Sequence, residues 1–189
     1  MIIGVDAGTS VVKAVAFTDD GDVLRVAARP TRTLTPAPGR AEQDLEEVIA
    51  AVGDVVREVS AGEAPWLVGI TAQGDGVWLL DADGRAVRPP ILWSDARAAS
   101  ILAAWLANGV VDQGFRYCGS VLFPGAAAPL LAYLQEHEPE SLSAAVTAGY
   151  CKDAILQRLT GARATDISDA SLPFFHPGLR EYHEDALTL

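Results

Sequence analysis

Cysteine, lysine and long apolar runs are all scarce in this 189-residue chain, and each scarcity removes a class of protein. Cys118 and Cys151 are too few and too far apart for a disulfide framework or a zinc site, so both are expected as reduced core residues. Positive charge is thin: Lys+Arg 14 against Asp+Glu 25 leaves a net charge of -11, with arginine carrying most of the positive share. A polyanion such as nucleic acid needs clustered Lys and Arg to neutralise its phosphates, so it is excluded as a partner. One small phosphate ligand is not excluded, because backbone dipoles and a metal ion can hold it inside an acidic protein. No apolar run reaches the roughly 18 residues that span a bilayer, and the N-terminus lacks the basic region and apolar stretch of a signal peptide. The expectation is a cytoplasmic protein with no membrane partner, and a homo-oligomer is compatible with this composition.

What the chain does have is a globular composition, 50% hydrophobic and 21% charged, at a length suited to one domain with a real core. The chemistry concentrates first in Ile2–Phe17. Ile2 to Val5 is a β-branched run suited to a buried strand, and Val11 to Phe17 resumes the pattern after a tight turn. Asp6 stands at the strand end, where its carboxylate can hold a magnesium ion directly or through water. Gly8 permits close backbone approach, and the amides and hydroxyls of Gly8, Thr9 and Ser10 can point at phosphate oxygens. Lys13 adds a point charge there or solvates a strand face. The plainer use of Asp-x-Gly-Thr is an ordinary hairpin turn. Thr18 to Asp22 then reads as an acidic turn and Val23 to Ala28 as a third strand. This strand order resembles the opening of the ribonuclease-H-like ATPase fold shared by sugar kinases, actin and heat-shock ATPases. That resemblance, rather than the turn itself, implies ATP phosphates at Gly8 to Ser10.

Further along, Arg29 to Arg40 reads as a Pro/Gly-rich connection, and Asp44 opens a helix whose apolar residues recur from Leu45 to Val59. Trp66 to Ala72 is expected as a strand buried on both faces, and Val77 to Asp81 as another, giving an α/β layer in which the helix covers a mixed sheet. Ala98 to Ala107, about Ala126 to Glu138, and Thr147 to Thr160 read as helices, with Phe115 to Gly125 irregular between them. Tyr182 to Leu189 reads as helix-like. His137, His176 and His183 are expected at solvated positions.

Five motifs in order make the chain resemble the N-terminal half of the FGGY carbohydrate kinases. They are Asp6-x-Gly8-Thr9-Ser10-x-x-Lys13; Gln73-Gly74-Asp75-Gly76 with Leu80-Asp81; Ile91-Leu92-Trp93-Ser94-Asp95-x-Arg97; Glu136 to Glu140; and Leu159-Thr160-Gly161 with Thr165-Asp166-x-Ser168-x-Ala170-Ser171. The resemblance implies a ribonuclease-H-like α/β fold, incomplete at the C-terminus, with residues 1–189 forming a truncated N-terminal domain that lacks the second, adenosine-binding domain. It implies ATP and magnesium as cofactors and a small sugar or polyol as substrate, with Gln73, Gly74, Asp75, Trp93, Asp95 and Arg97 lining the sugar pocket. A polyol needs paired donors and acceptors along one wall, which these residue types supply. Each has a plainer use as well: Asp75 as a turn residue, Trp93 as core, and Asp95 with Arg97 as a helix start with a local ion pair. Relatives often carry a Lys then a Trp after the proline where this chain has Leu130 and Tyr133, which leaves the contacts of Pro124 to Tyr133 open.

The Gln-Gly-Asp-Gly turn is closest to erythritol kinases and related tetritol or L-sugar kinases, which favours a linear polyol or an unusual pentulose. The resemblance places the general base on an aspartate of a Gly-rich turn beyond Leu189, so the catalytic residue is unassigned and the chain by itself is expected to be inactive. Two other readings stand beside the kinase part: a sugar-binding module without catalysis, and an actin-like interaction domain.

Overall fold

The computed structural model describes residues 1–170, 174–176, 178 and 181–188. Its centre is a four-stranded sheet in the order β3-β2-β1-β4, built from β1 (Ile2–Ala7), β2 (Val11–Phe17), β3 (Val23–Pro30) and β4 (Leu67–Ala72). β1 pairs antiparallel with β2 and parallel with β4, so the sheet is mixed as expected. Period-2 alternation turns Ile3, Val5, Ala7, Val12, Ala14, Ala16 and Ala27 inward, all buried. Against that face lies α1 (Leu45–Ser60). Asp44 caps it by accepting from the Glu46 N–H at 2.8 Å, and Ala61 ends it in the left-handed region. Leu45, Val48, Val52, Val55 and Val59 form its buried stripe, each contributing roughly 1.5–3 kcal/mol by leaving water.

Two expectations fail in this half. β4 is not buried on both faces: Leu67 is 47% and Val68 38% exposed, because β4 is the sheet edge among the described residues. Nor does the next strand join the main sheet. β5 (Trp78–Leu80) pairs antiparallel with β6 (Thr147–Gly149) and is buried on both faces. Trp78 and Leu80 enter the core under α1, while Leu79 and the preceding Val77 enter a second core with Ile91, Ala98, Leu130, Leu134 and Tyr150. One short strand therefore ties two cores together.

α4 (Ala127–His137) and α5 (Pro139–Ala144) pack on that second core, with α2 (Ala99–Ala107) against α4 and α3 (Val110–Cys118) against α2. Val110–Cys118 is helical although Phe115 to Gly125 was expected as irregular; Gly109 and Gly119, both left-handed, bracket it. The helix expected over Thr147 to Thr160 divides into β6 and α6 (Cys151–Thr160), because Tyr150 is an extended N-cap whose N–H donates to the Asp153 carboxylate at 3.1 Å. α7 (Ile167–Ala170), β7 (Phe175–His176), β8 (Glu181–Tyr182) and α8 (Glu184–Leu187) complete the described chain. The helix-like segment expected from Tyr182 is thus a short strand and one turn of helix; Ser171, Pro177 and Leu189 lie outside the described residues. Cys118 and Cys151 are free and buried, as expected. His183 departs from expectation by stacking on Tyr117 with ring centroids 4.3 Å apart.

Candidate functional site

The turn between β1 and β2 is held from below rather than by its own residues alone. Gly8 donates its N–H to the Val11 carbonyl at 3.1 Å, and a Cβ on Gly8 would lie 3.1 Å from that oxygen, so a side chain there would press on the tight closure. The Thr31 N–H donates to the Ser10 carbonyl at 3.0 Å, and the Thr31 hydroxyl to the Thr9 carbonyl at 3.0 Å. Asp6 is exposed on the sheet face opposite α1, in register with Lys13 across the β1–β2 pair. Among the described residues no group of three or more His, Cys, Asp or Glu side chains is placed to hold a metal ion. An ion at Asp6 would have this one carboxylate as its protein ligand, and magnesium takes one or two while keeping most of its waters.

Residues 73–76 leave β4 directly beside this turn, with the Gln73 N–H donating to the Ala7 carbonyl at 3.0 Å. The Thr9 hydroxyl donates to Gln73 Oε1 at 2.9 Å, and the Trp93 indole N–H donates to the Thr9 hydroxyl at 3.1 Å. Residues 84 positions apart in sequence, Thr9 and Trp93, thus meet directly. Trp93 is 48% exposed, so its ring is surface and not core. Two glycines set its place. Gly76 donates its N–H to the Gly125 carbonyl at 3.0 Å, and a Cβ on Gly125 would fall 1.8 Å from the Trp93 carbonyl oxygen.

Asp75 lies between the two glycines in the left-handed region, φ 55. Its Oδ1 is buried without a hydrogen-bond partner among the described residues. Burial, and then the neighbouring Asp169 carboxylate, push its carboxyl up to about 6. Asp169 packs over Gly74, where a Cβ would meet its Oδ1 at 3.4 Å. Its other oxygen pairs with Lys152 Nζ at 3.2 Å, and the same ammonium reaches Asp153 at 2.8 Å and Asp166 at 3.0 Å. Asp75 and Asp169 are thus neighbouring carboxyls, of which Asp169 is compensated by Lys152, while the buried Asp75 Oδ1 is not compensated by any of the described residues.

Asp95 and Arg97 stand elsewhere. Their side chains are 0% and 1% exposed and bound to each other, with Arg97 Nη2 2.9 Å from Asp95 Oδ2 and 2.7 Å from Glu42 Oε1. Arg88 joins the same Glu42 oxygen at 2.5 Å and lies 3.1 Å from Glu138. The Ala41 N–H donates to Asp95 at 2.7 Å. Burial pushes Asp95 up, but the Arg97 guanidinium and the Ala41 and Arg97 N–H groups outweigh it and hold the carboxyl below its ordinary value. This buried cluster ties residues 88–97 to residues 41–42 behind Trp93. Reading the sequence for sites missed Glu42, Gln43 and Gly125 altogether. Their only local signal is polar residues ahead of the α1 cap and a Pro-Gly step, neither of which points to a site.

Residues 1–186 match the model of the FGGY family of carbohydrate kinases, N-terminal domain. The erythritol kinase of Brucella abortus is 36% identical over 97% of this chain and 36% of its own length. The xylulose kinase of Escherichia coli is 35% identical over 90% of this chain and 36% of its own. Among solved structures, the xylulose kinase of Rhodospirillum rubrum superposes with a TM-score of 0.89 at 29% identity, over 98% of this chain and 40% of that one. The fold is accordingly that of the actin/hexokinase-like sugar kinases, as its strand order led us to expect. The chain spans little more than a third of the length of the curated relatives it matches. On the sequence match and the fold together, this chain belongs to the FGGY family of carbohydrate kinases.

Proposed function

We propose that the chain forms the polyol- and phosphate-binding part of an ATP-dependent kinase that phosphorylates a hydroxyl of a small sugar or polyol, a tetritol such as erythritol or a pentulose. The observation that carries this reading is the direct hydrogen-bond path Trp93–Thr9–Gln73, which joins the turn suited to phosphate with the wall suited to a polyol. Gly8, Thr9 and Ser10 would face the ATP phosphates, Lys13 would add positive charge, and Asp6 would hold magnesium. When bound, that ion neutralises charge on the phosphates. Trp93 presents an apolar face to the carbon chain, and the Asp75 carboxylate accepts from hydroxyls. Gln73 and Gly74 shape the wall. Asp95 and Arg97 act from behind, by fixing the segment that carries Trp93.

In the reaction the substrate oxygen forms a bond to the γ-phosphorus as the bond to ADP breaks, and a base takes the hydroxyl proton. We place that base, and the adenosine site, on a second domain outside these 189 residues; a cytoplasmic location accords with the use of ATP. The test is an ATP-coupled assay of the 189-residue chain with tetritols and pentuloses, beside calorimetry with the same compounds. Binding of erythritol or a pentulose without turnover is expected. Robust turnover would overturn the division of labour, and absence of any polyol binding would overturn the substrate class.

A further inference from the structure

Gln43 is fully buried, carries no charge and sits one residue before the α1 cap, yet both ends of its amide are bonded into the site. Its Nε2 donates to the Thr9 carbonyl at 3.0 Å, and its Oε1 accepts from Gln73 Nε2 at 2.7 Å. Gln73 Oε1 in turn accepts from the Thr9 hydroxyl at 2.9 Å, which closes a ring through Thr9, Gln73 and Gln43. The direction of every bond in this ring is forced. A carbonyl only accepts, so Gln43 must turn its nitrogen to Thr9 and its oxygen to Gln73. Gln73 must then meet that oxygen with its nitrogen, leaving its own oxygen for Thr9. The hydroxyl must therefore donate its single proton to Gln73 and keep only acceptor capacity. The Trp93 indole N–H, which only donates, takes that acceptor at 3.1 Å. Starting from Trp93 gives the same assignment, so the amide orientations follow from chemistry on both sides.

We infer that Gln43 is a positioning residue: by fixing the polarity of this ring it holds the Thr9 hydroxyl as an acceptor and thereby pins the exposed Trp93 ring at the polyol wall. This rests on the reading of Trp93 as a polyol contact. It also narrows the role of Thr9. With its proton committed to Gln73, the hydroxyl has nothing to donate to a phosphate oxygen, which leaves the backbone N–H as the Thr9 phosphate donor. A leucine at position 43 would fill similar volume and break the ring at two points. Thr9 could then rotate, and Trp93 would lose its acceptor.

The test uses nuclear magnetic resonance on the 189-residue chain, following the Trp93 indole proton and the Gln73 side-chain amide, with erythritol titrated by calorimetry. In Gln43→Leu the Trp93 indole proton should exchange with water at least about tenfold faster, and erythritol should bind about five- to tenfold more weakly, the scale of one lost neutral hydrogen bond. Val52→Ala, a core change on α1 away from the ring, should lower stability and leave the indole exchange unchanged. Unchanged indole exchange in folded Gln43→Leu would overturn the inference. Where Gln43→Leu does not fold, Trp93→Phe probes the ring from its exposed end: the Gln73 amide resonances should shift, and their constancy would overturn it equally. If the indole responds but the unaltered chain binds no erythritol, the ring stands and the substrate reading alone falls.

Discussion

Asp75 carries the sharpest single-residue consequence. Its carboxyl sits at about 6, raised from 3.8 by burial and then by Asp169, so the folded chain holds this proton more tightly than the unfolded one. The stability it contributes is complete below about pH 4 and is lost as the pH rises to about 6, the reverse of a salt-bridged aspartate. Asp166 shows the ordinary case: held at about 2, chiefly by the Ser168 hydroxyl, it stabilises above about pH 4 and loses that contribution as the pH falls towards 2. Asp75→Asn removes the ionisable group and keeps a residue type that tolerates the left-handed backbone. It should be more stable than the parent chain by about 1–2 kcal/mol at pH 7.5, after discounting for partial exposure, with the gap closing at pH 4. Urea unfolding at the two pH values measures this, and an equal gap at both would contradict it. Because the ionised carboxylate is the better acceptor for hydroxyls, erythritol binding to the parent chain should strengthen as the pH passes 6.

At the scale of elements, the site depends on segments that carry no chemistry of their own. Gly125 lets the loop before α4 pass against the Trp93 backbone, where a Cβ would stand 1.8 Å from the carbonyl oxygen and 2.4 Å from the carbonyl carbon. Gly125→Ala should therefore cost at least about 2 kcal/mol and displace the Trp93 indole resonance, since neither partner is a flexible side chain. Gly69→Ala is the matched control: on β4 a Cβ there meets nothing within 4 Å, and the change should stay within about 0.5 kcal/mol. The buried ion cluster behaves similarly. Arg97→Met would leave the Asp95 and Glu42 carboxylates buried without their shared guanidinium, a loss of about 3–5 kcal/mol in denaturant unfolding. Arg97→Lys should recover only part of this, because one ammonium cannot reproduce the fork that reaches both. Full recovery by lysine would mean that charge alone, rather than geometry, holds the segment.

At the scale of the whole molecule, the described residues cover the main sheet on one side. α1 buries the inner face, whereas the outer one leaves Val26 62% exposed beside Val15, Phe17 and the Asp6–Lys13 pair, and among the described residues β4 has an unpaired edge, with Leu67 and Val68 exposed. Apolar faces and unpaired edges of this kind associate. The 189-residue chain on its own should bind a hydrophobic dye and self-associate with rising concentration in sedimentation velocity, and Leu67→Lys should reduce both effects. A monomer at all concentrations with no dye binding would contradict this.

Much of this was legible in the chain because it rests on local rules. The strands at Ile2–Ala7 and Val11–Phe17, the Asp44 cap with its stripe to Val59, and the glycine closing the first turn each follow from neighbours within a few residues. The family was legible for the same reason, as a series of short motifs in order. Local rules failed where burial depends on distant partners. β4 looks doubly buried by composition but lies at an edge, and Thr147 to Thr160 looks like one helix until Tyr150 and Asp153 cap it midway. Only the tertiary structure could decide that Asp95 and Arg97 turn inward, that Trp93 turns outward, and that Gln43 closes a ring with Thr9 and Gln73. Each outcome depends on hydrogen-bond partners 30 to 84 residues away, and directional bonds over that range are set by packing, not by sequence spacing.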